Sequence, residues 1–223
     1  MEAPLSGSMT IAPERWLAAL LLALLLSACG TREVVVQNAE FPEPLVRPLP
    51  LTLGVWYDEA FANHEFFDEA AGRSDSSWLV KTGEAQVALW DTLLGGMFKR
   101  VVHMDGPPAP QQMNPVADAV LIPEVEELQY AIPAHTNVKV YEIWLRYHFR
   151  LVTLNGETLA EWSMPAYGKT PTAFLQSDEA AVRLAAVVAL RDAGAHFATS
   201  FLQVPAVRDW LDSLPRRQEG PRS

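Results

Sequence analysis

One thiol, five imidazoles and 27 carboxylates are the side chains with which this 223-residue chain could do chemistry. The thiol, Cys29, stands alone, which excludes an internal disulfide framework and any cysteine-cluster metal site. The imidazoles are His64, His103, His135, His148 and His196, and no two are spaced i, i+4. A structural metal site normally shows at least one close ligand pair, so no metal is assigned. His148 falls between Arg146 and Arg150, whose charges oppose a cation. The acids form two groups, Asp58, Glu59, Glu65, Asp68 and Glu69 in one, Glu124, Glu126 and Glu127 in the other. A paired-carboxylate hydrolase needs two of them about 5–9.5 Å apart in a cleft. The other reading is a solvated acidic face, natural in a chain of net charge −10. The sequence has no GxSxG, HExxH, P-loop, GxGxxG, CxxC or DxDxDG pattern. No catalytic residue is assigned, and the chain is read as a non-enzyme with no cofactor.

The aromatics say more. Nine Phe, seven Trp and five Tyr are many for one domain, and several stand outside the expected core pattern. Trp144 lies on the polar side of its predicted strand, beside Arg146, and Trp56 ends the first strand. Exposed aromatics and arginines are enriched in protein–protein contacts, so Trp144, Arg146 and Trp56 are the candidate partner-contact residues. The competing reading buries such aromatics in a satellite core. The acidic balance argues against nucleic acid, which needs a basic face to replace phosphate counterions.

Trp16 to Leu26 reads WLAALLLALLL, with Arg15 before it. Eleven helical residues span about 16 Å, short of a bilayer core of about 30 Å, so this is a signal-peptide h-region and not a transmembrane helix. Glu2 and Glu14 offset Arg15, and a start at Met9 would shorten the n-region. The run ends in Leu26-Ser27-Ala28-Cys29, which resembles the lipobox of bacterial lipoproteins. That resemblance implies a diacylglyceryl thioether on Cys29, cleavage before it, and acylation of the new amino group. Two or three acyl chains together make a lasting anchor, whereas one binds only marginally. The next residues are Gly30-Thr31, with no Asp after the cysteine, which by the same resemblance implies the outer membrane, periplasmic face.

These groups are positioned by a short series of elements. Residues 1–28 are the signal peptide and 29–50 a lipid-anchored tether in which Pro42, Pro44, Pro48 and Pro50 favour an extended spacer. Val34-Val35-Val36 could instead form a short strand. Residues 51–214 are the globular part and 215–223 a polar tail. Leu51–Tyr57 reads as a strand, 58–77 as a polar loop with one helical turn, and Glu84–Lys99 as an amphipathic helix. Arg100–Met104 and Ala119–Tyr130 read as strands, the second interrupted by Pro123. Val138–Leu154 alternates strictly, the mark of an antiparallel strand with one wet face. Asn155-Gly156 predicts a type I′ turn into a partner strand over Glu157–Met164. Asp178–Phe201 is a long helix capped by Ser177 or Asp178, with a small-residue stripe, and 204–214 a last short helix.

The fold class is α+β, a single mixed or antiparallel sheet of about five strands with two main helices on one face. Its element order, long hairpin and lipobox weakly resemble the amino-terminal domain of TolB, the curli secretion-channel lipoprotein and the lipoprotein activators of penicillin-binding proteins. The expected function is a non-catalytic adaptor or auxiliary component of an envelope assembly or transport complex, with a periplasmic protein complex as partner and a homo-oligomer compatible with it. The alternative is a periplasmic hydrolase or small-ligand-binding lipoprotein using the acidic loops.

Overall fold

The computed structural model describes residues 31–68, 77–109, 117–131, 140–171 and 177–214. The leader, Trp16–Leu26, Cys29 and the tail from Pro215 lie outside the described residues. The main sheet has strands β2 (Leu49–Val55), β5 (Phe98–His103), β6 (Ala119–Ala131), β7 (Val140–Val152) and β8 (Thr158–Pro171), in the order β5-β2-β6-β7-β8. β5, β2 and β6 run parallel, and β6, β7 and β8 are antiparallel. The five-stranded mixed sheet of the expected α+β class is therefore present.

A smaller sheet accompanies it, in the order β1-β4-β3, from β1 (Arg32–Val35), β3 (Glu65–Asp68) and β4 (Trp78–Lys81). β1 answers to the short strand left open at Val34–Val36 as the alternative to a spacer, whereas β3 lies in the segment expected to be a polar loop. Val34 and Val36 are buried in the main core while Val35 between them is exposed. That short alternation is enough to hold a strand when a partner is waiting. Residues 37–44 are also tied to the fold at several points. The Arg183 and Arg191 guanidiniums donate to the Gln37 and Glu40 carbonyls at 2.6 and 3.0 Å. Phe41 packs against the core, and Pro44 sits so close to Gly96 that a Cβ there would come within 2.5 Å of its ring.

Four helices are described, α1 (Glu59–Ala62), α2 (Gly83–Met97), α3 (Asp178–Ser200) and α4 (Pro205–Ser213), with a 3-10 turn at Phe201–Gln203. α3 starts where Ser177 accepts from the Ala180 N–H at 3.2 Å, the expected N-cap. Its buried face is Ala181, Ala185, Ala186, Ala189, Ala193 and Gly194 with Val182, Leu190 and Phe197. Such small residues let the helix axis approach β8. At Gly168 a Cβ would lie 2.0 Å from the Ala185 carbonyl oxygen. β8 is an edge strand, and α3 covers it: Asp192 accepts from the Tyr167 N–H at 3.0 Å. Between helices and sheet lies an aromatic core. Trp90 of α2 meets Tyr147, Phe149 and Phe197 edge-on at 5.0–5.4 Å, and Phe197 stacks on Phe201.

Two local expectations change. The β7–β8 turn is not type I′, because Gly156 (φ 86°) is in the left-handed region and Asn155 is not. Gly156 N–H donates to the Thr153 carbonyl at 3.0 Å, so Leu154-Asn155 form a type I turn followed by a left-handed glycine. Pro123 does not interrupt β6. β2 pairs with β6 only as far as Leu121, so the proline falls where β6 has lost that neighbour and no N–H is needed.

Candidate functional site

The helices cover one face of β6–β8 and leave the other face open. On the open face the register stacks cross-strand triplets along the strands. Arg150 lies between Ile122 and Glu161, His148 between Glu124 and Ser163, Arg146 between Glu127 and Pro165, and Trp144 between Gln129 and Tyr167. Most of the ladder is ion-paired. Glu124 accepts from Arg150 at 2.7 Å, Glu127 from Arg146 at 3.2 Å, and Glu161 lies 2.8 Å from His148. Of the acids that sequence grouped as a hydrolase candidate, Glu124 and Glu127 are thus spent on arginines. Asp58, from the other group, accepts from the Phe61 N–H at 2.7 Å as the cap of α1. Glu69 lies outside the described residues.

The ladder breaks at Trp144. Its ring is 48% exposed and lies tilted against Tyr167, centroids 4.3 Å apart. Below it Arg146, Glu127, Gln129 and Pro165 border a shallow hollow. Desolvation, then the hydrogen bond it donates to Glu142, raises the Tyr167 phenol. An aromatic pair with a guanidinium at its rim can stack on and hydrogen-bond a partner. Trp144 and Arg146 are therefore brought together. Trp56 is not with them. It is half-buried at the far end of the same face, against Val120, Ile122, Val152, Met104 and Leu154. Eight residues of β7 separate Trp144 from Val152, about 26 Å. Trp56 packs against a satellite core and remains partly exposed.

The histidines stay apart. His64 contacts Thr82, His103 contacts Asp91, His148 contacts Glu161, and His196 contacts the Pro165 carbonyl. His135 lies outside the described residues. Among the described residues no three ligand-type side chains gather around a metal position. One grouping was not foreseen. At the carboxyl ends of the parallel pair β2 and β5, Asp91 of α2 accepts from the Tyr57 hydroxyl at 2.8 Å and lies 3.2 Å from His103. Burial, then the Asp91 charge, drives the Tyr57 phenol well above its usual range. The three residues come from separate segments, and no spacing in the chain announces them. With the carboxylate shared by two donors, the cluster is a clasp between α2 and the sheet edge.

No family model matches the chain, and no curated protein matches it. Among solved structures it is similar to a Xanthomonas campestris protein of the DUF330 family, at 13% identity and TM-score 0.48, covering 81% of this chain and 99% of that one. It is also similar to a minor lipoprotein from Acinetobacter baumannii, at 11% identity and TM-score 0.38, covering 77% of this chain and 99% of that one. A third is a candidate lipoprotein from Caulobacter crescentus, at 16% identity and TM-score 0.35, covering 59% of this chain and 85% of that one. None is named as a TolB, curli-channel or penicillin-binding-protein-activator type. At these scores the likenesses carry no functional argument, which rests on the chain's own residues.

Proposed function

We propose that this chain is a lipid-anchored envelope protein, held by acylated Cys29 at the periplasmic face of the outer membrane, that binds a protein partner without catalysing a reaction. Its role is that of an adaptor or auxiliary component of an envelope assembly or transport complex. The anchor reading is supported by Leu26-Ser27-Ala28-Cys29 after an eleven-residue apolar run. The observation that carries the binding reading is the Trp144–Tyr167 pair, with Trp144 left half in water beside the ion-paired ladder of the same face. Anchoring works by effective concentration, since a domain confined to a thin shell at the membrane meets other envelope components far more often than a free one.

The test is a crosslinked pull-down of the full lipoprotein from membranes, beside Cys29→Ser and Trp144→Ala. A stoichiometric partner is expected with the parent protein, lost with Cys29→Ser and reduced with Trp144→Ala. Cys29→Ser should also move the protein out of the membrane fraction. Recovery of the lipoprotein alone, with hydrolytic activity in the same fraction, would overturn the adaptor reading.

A further inference from the structure

The described fold begins almost at the anchor. Only Gly30 and Thr31 separate Cys29 from β1. β1 is fixed from its first residue. The Arg32 N–H donates to the Ser77 carbonyl at 2.7 Å. The Arg32 guanidinium lies 3.2 Å from Asp178, 3.4 Å from Glu179, and over the Trp78 ring at 5.3 Å. Val34 and Val36 then enter the core. Three residue steps span at most about 11 Å at ~3.6 Å each. The headgroup layer on one side of a bilayer is itself about 5–7 Å thick. The leash is therefore used up within, or just beyond, the headgroups.

This also fixes which end faces down. Arg32 lies level with Trp78 at the start of β4 and with Asp178 at the start of α3. Tyr141, at the start of β7, hydrogen-bonds Asp178. Thr170, near the end of β8, donates to the Ala181 carbonyl. The opposite end is the β7–β8 turn, about 40 Å away along a 13-residue strand. Phe67 is 50% exposed, one row from Trp78, and brings an apolar ring to the anchored end. Among the described residues the bases toward that end all meet acids, Arg32 both Asp178 and Glu179, Lys81 Glu33, and Lys169 Glu142.

We propose that this end of the domain is a lipid-facing surface, held by the two-residue leash directly against the headgroups with the β7–β8 turn pointing away from the membrane. The proposal rests on the lipid-anchor reading. Among the described residues this end shows no unpaired positive cluster, so the leash is the feature from which the geometry is argued.

The experiment uses the acylated full chain in phosphatidylethanolamine–phosphatidylglycerol vesicles with an energy-transfer acceptor on the headgroups. Cys29 is consumed as a thioether, so one introduced cysteine is the sole free thiol for a donor dye. Ala180→Cys, exposed in the first turn of α3, reports the near end, and Asn155→Cys, exposed in the turn, reports the far end. Transfer from position 180 should exceed that from 155 several-fold. It should fall toward the far-end value when a long glycine-serine segment is inserted after Gly30. Equal transfer from both positions, or no response to the insertion, would overturn the proposal. The mass of the Cys29 peptide is measured on the same sample. A peptide without acyl groups would remove the anchor reading and this proposal together, whereas acylation with equal transfer removes only this proposal.

Discussion

Trp90 and Trp144 carry the same side chain into opposite surroundings, and the difference sets what each can be asked to do. Trp90 is fully buried among Tyr147, Phe149 and Phe197. Its replacement by Ala should cost about 3–5 kcal/mol in urea unfolding. Trp144→Ala should change stability by no more than about 0.5–1 kcal/mol, the range for surface substitutions, and show its effect in partner capture instead. A large stability loss would identify it as core. His64 makes a prediction about pH. Burial lowers its pKa, opposed by nearby Glu65. Gln86 donates to the Thr82 hydroxyl at 2.9 Å, which leaves that hydroxyl's proton for Nδ1 of His64, 2.8 Å away. The folded state thus prefers the neutral ring. Its contribution is present above the ordinary histidine pKa of about 6.5 and is lost as pH falls through the lower folded value. His64→Asn keeps an acceptor near the Nδ1 position but does not titrate. The fall in urea midpoint between pH 7.5 and pH 5 should be smaller in this variant than in the parent.

At the scale of elements, the tightest joint is α3 on β8. Gly168→Val would drive side-chain atoms into the Ala185 carbonyl and the Ala189 backbone, and should destabilise by at least about 1–3 kcal/mol, read as a lower thermal midpoint. Elements of this kind were legible where the chain repeats a period for long enough. β7 alternates over the eleven residues Tyr141–Leu151, and α3 shows its cap, its stripe and its length. The smaller sheet was not legible in the same way. β1, β3 and β4 have four residues each, too few to show a period, and they are strands because their partners are there. Asn155-Gly156 marked the right turn but not its type, since the extra residue in the loop decides which position takes positive φ. At the site, Trp144 could be read from its place on the wet side of an alternating strand. Trp56 could not, because the residues that shelter it come from three other segments. The Tyr57–Asp91–His103 clasp was invisible for the same reason.

For the whole molecule, on the anchored reading, the position of β1 decides how far the domain stands from the membrane. A spacer of twenty extended residues would reach about 60 Å at ~3.1 Å per residue, but most of that length is bound to α3 and the core. Val34→Asp should detach it, since an unpaired carboxylate costs several kcal/mol in an apolar site. Limited proteolysis should then cut between residues 37 and 44 faster than in the parent. The same pairing also orders events in time. β1 is completed by β4, a parallel partner laid down much later in the chain, and such non-local pairs form late in folding. On the anchored reading, the peptide bond before Cys29 therefore meets its peptidase while the first strand is still single. A variant that pairs this strand early should be one that is cut slowly, and pulse-chase labelling of the precursor would show it.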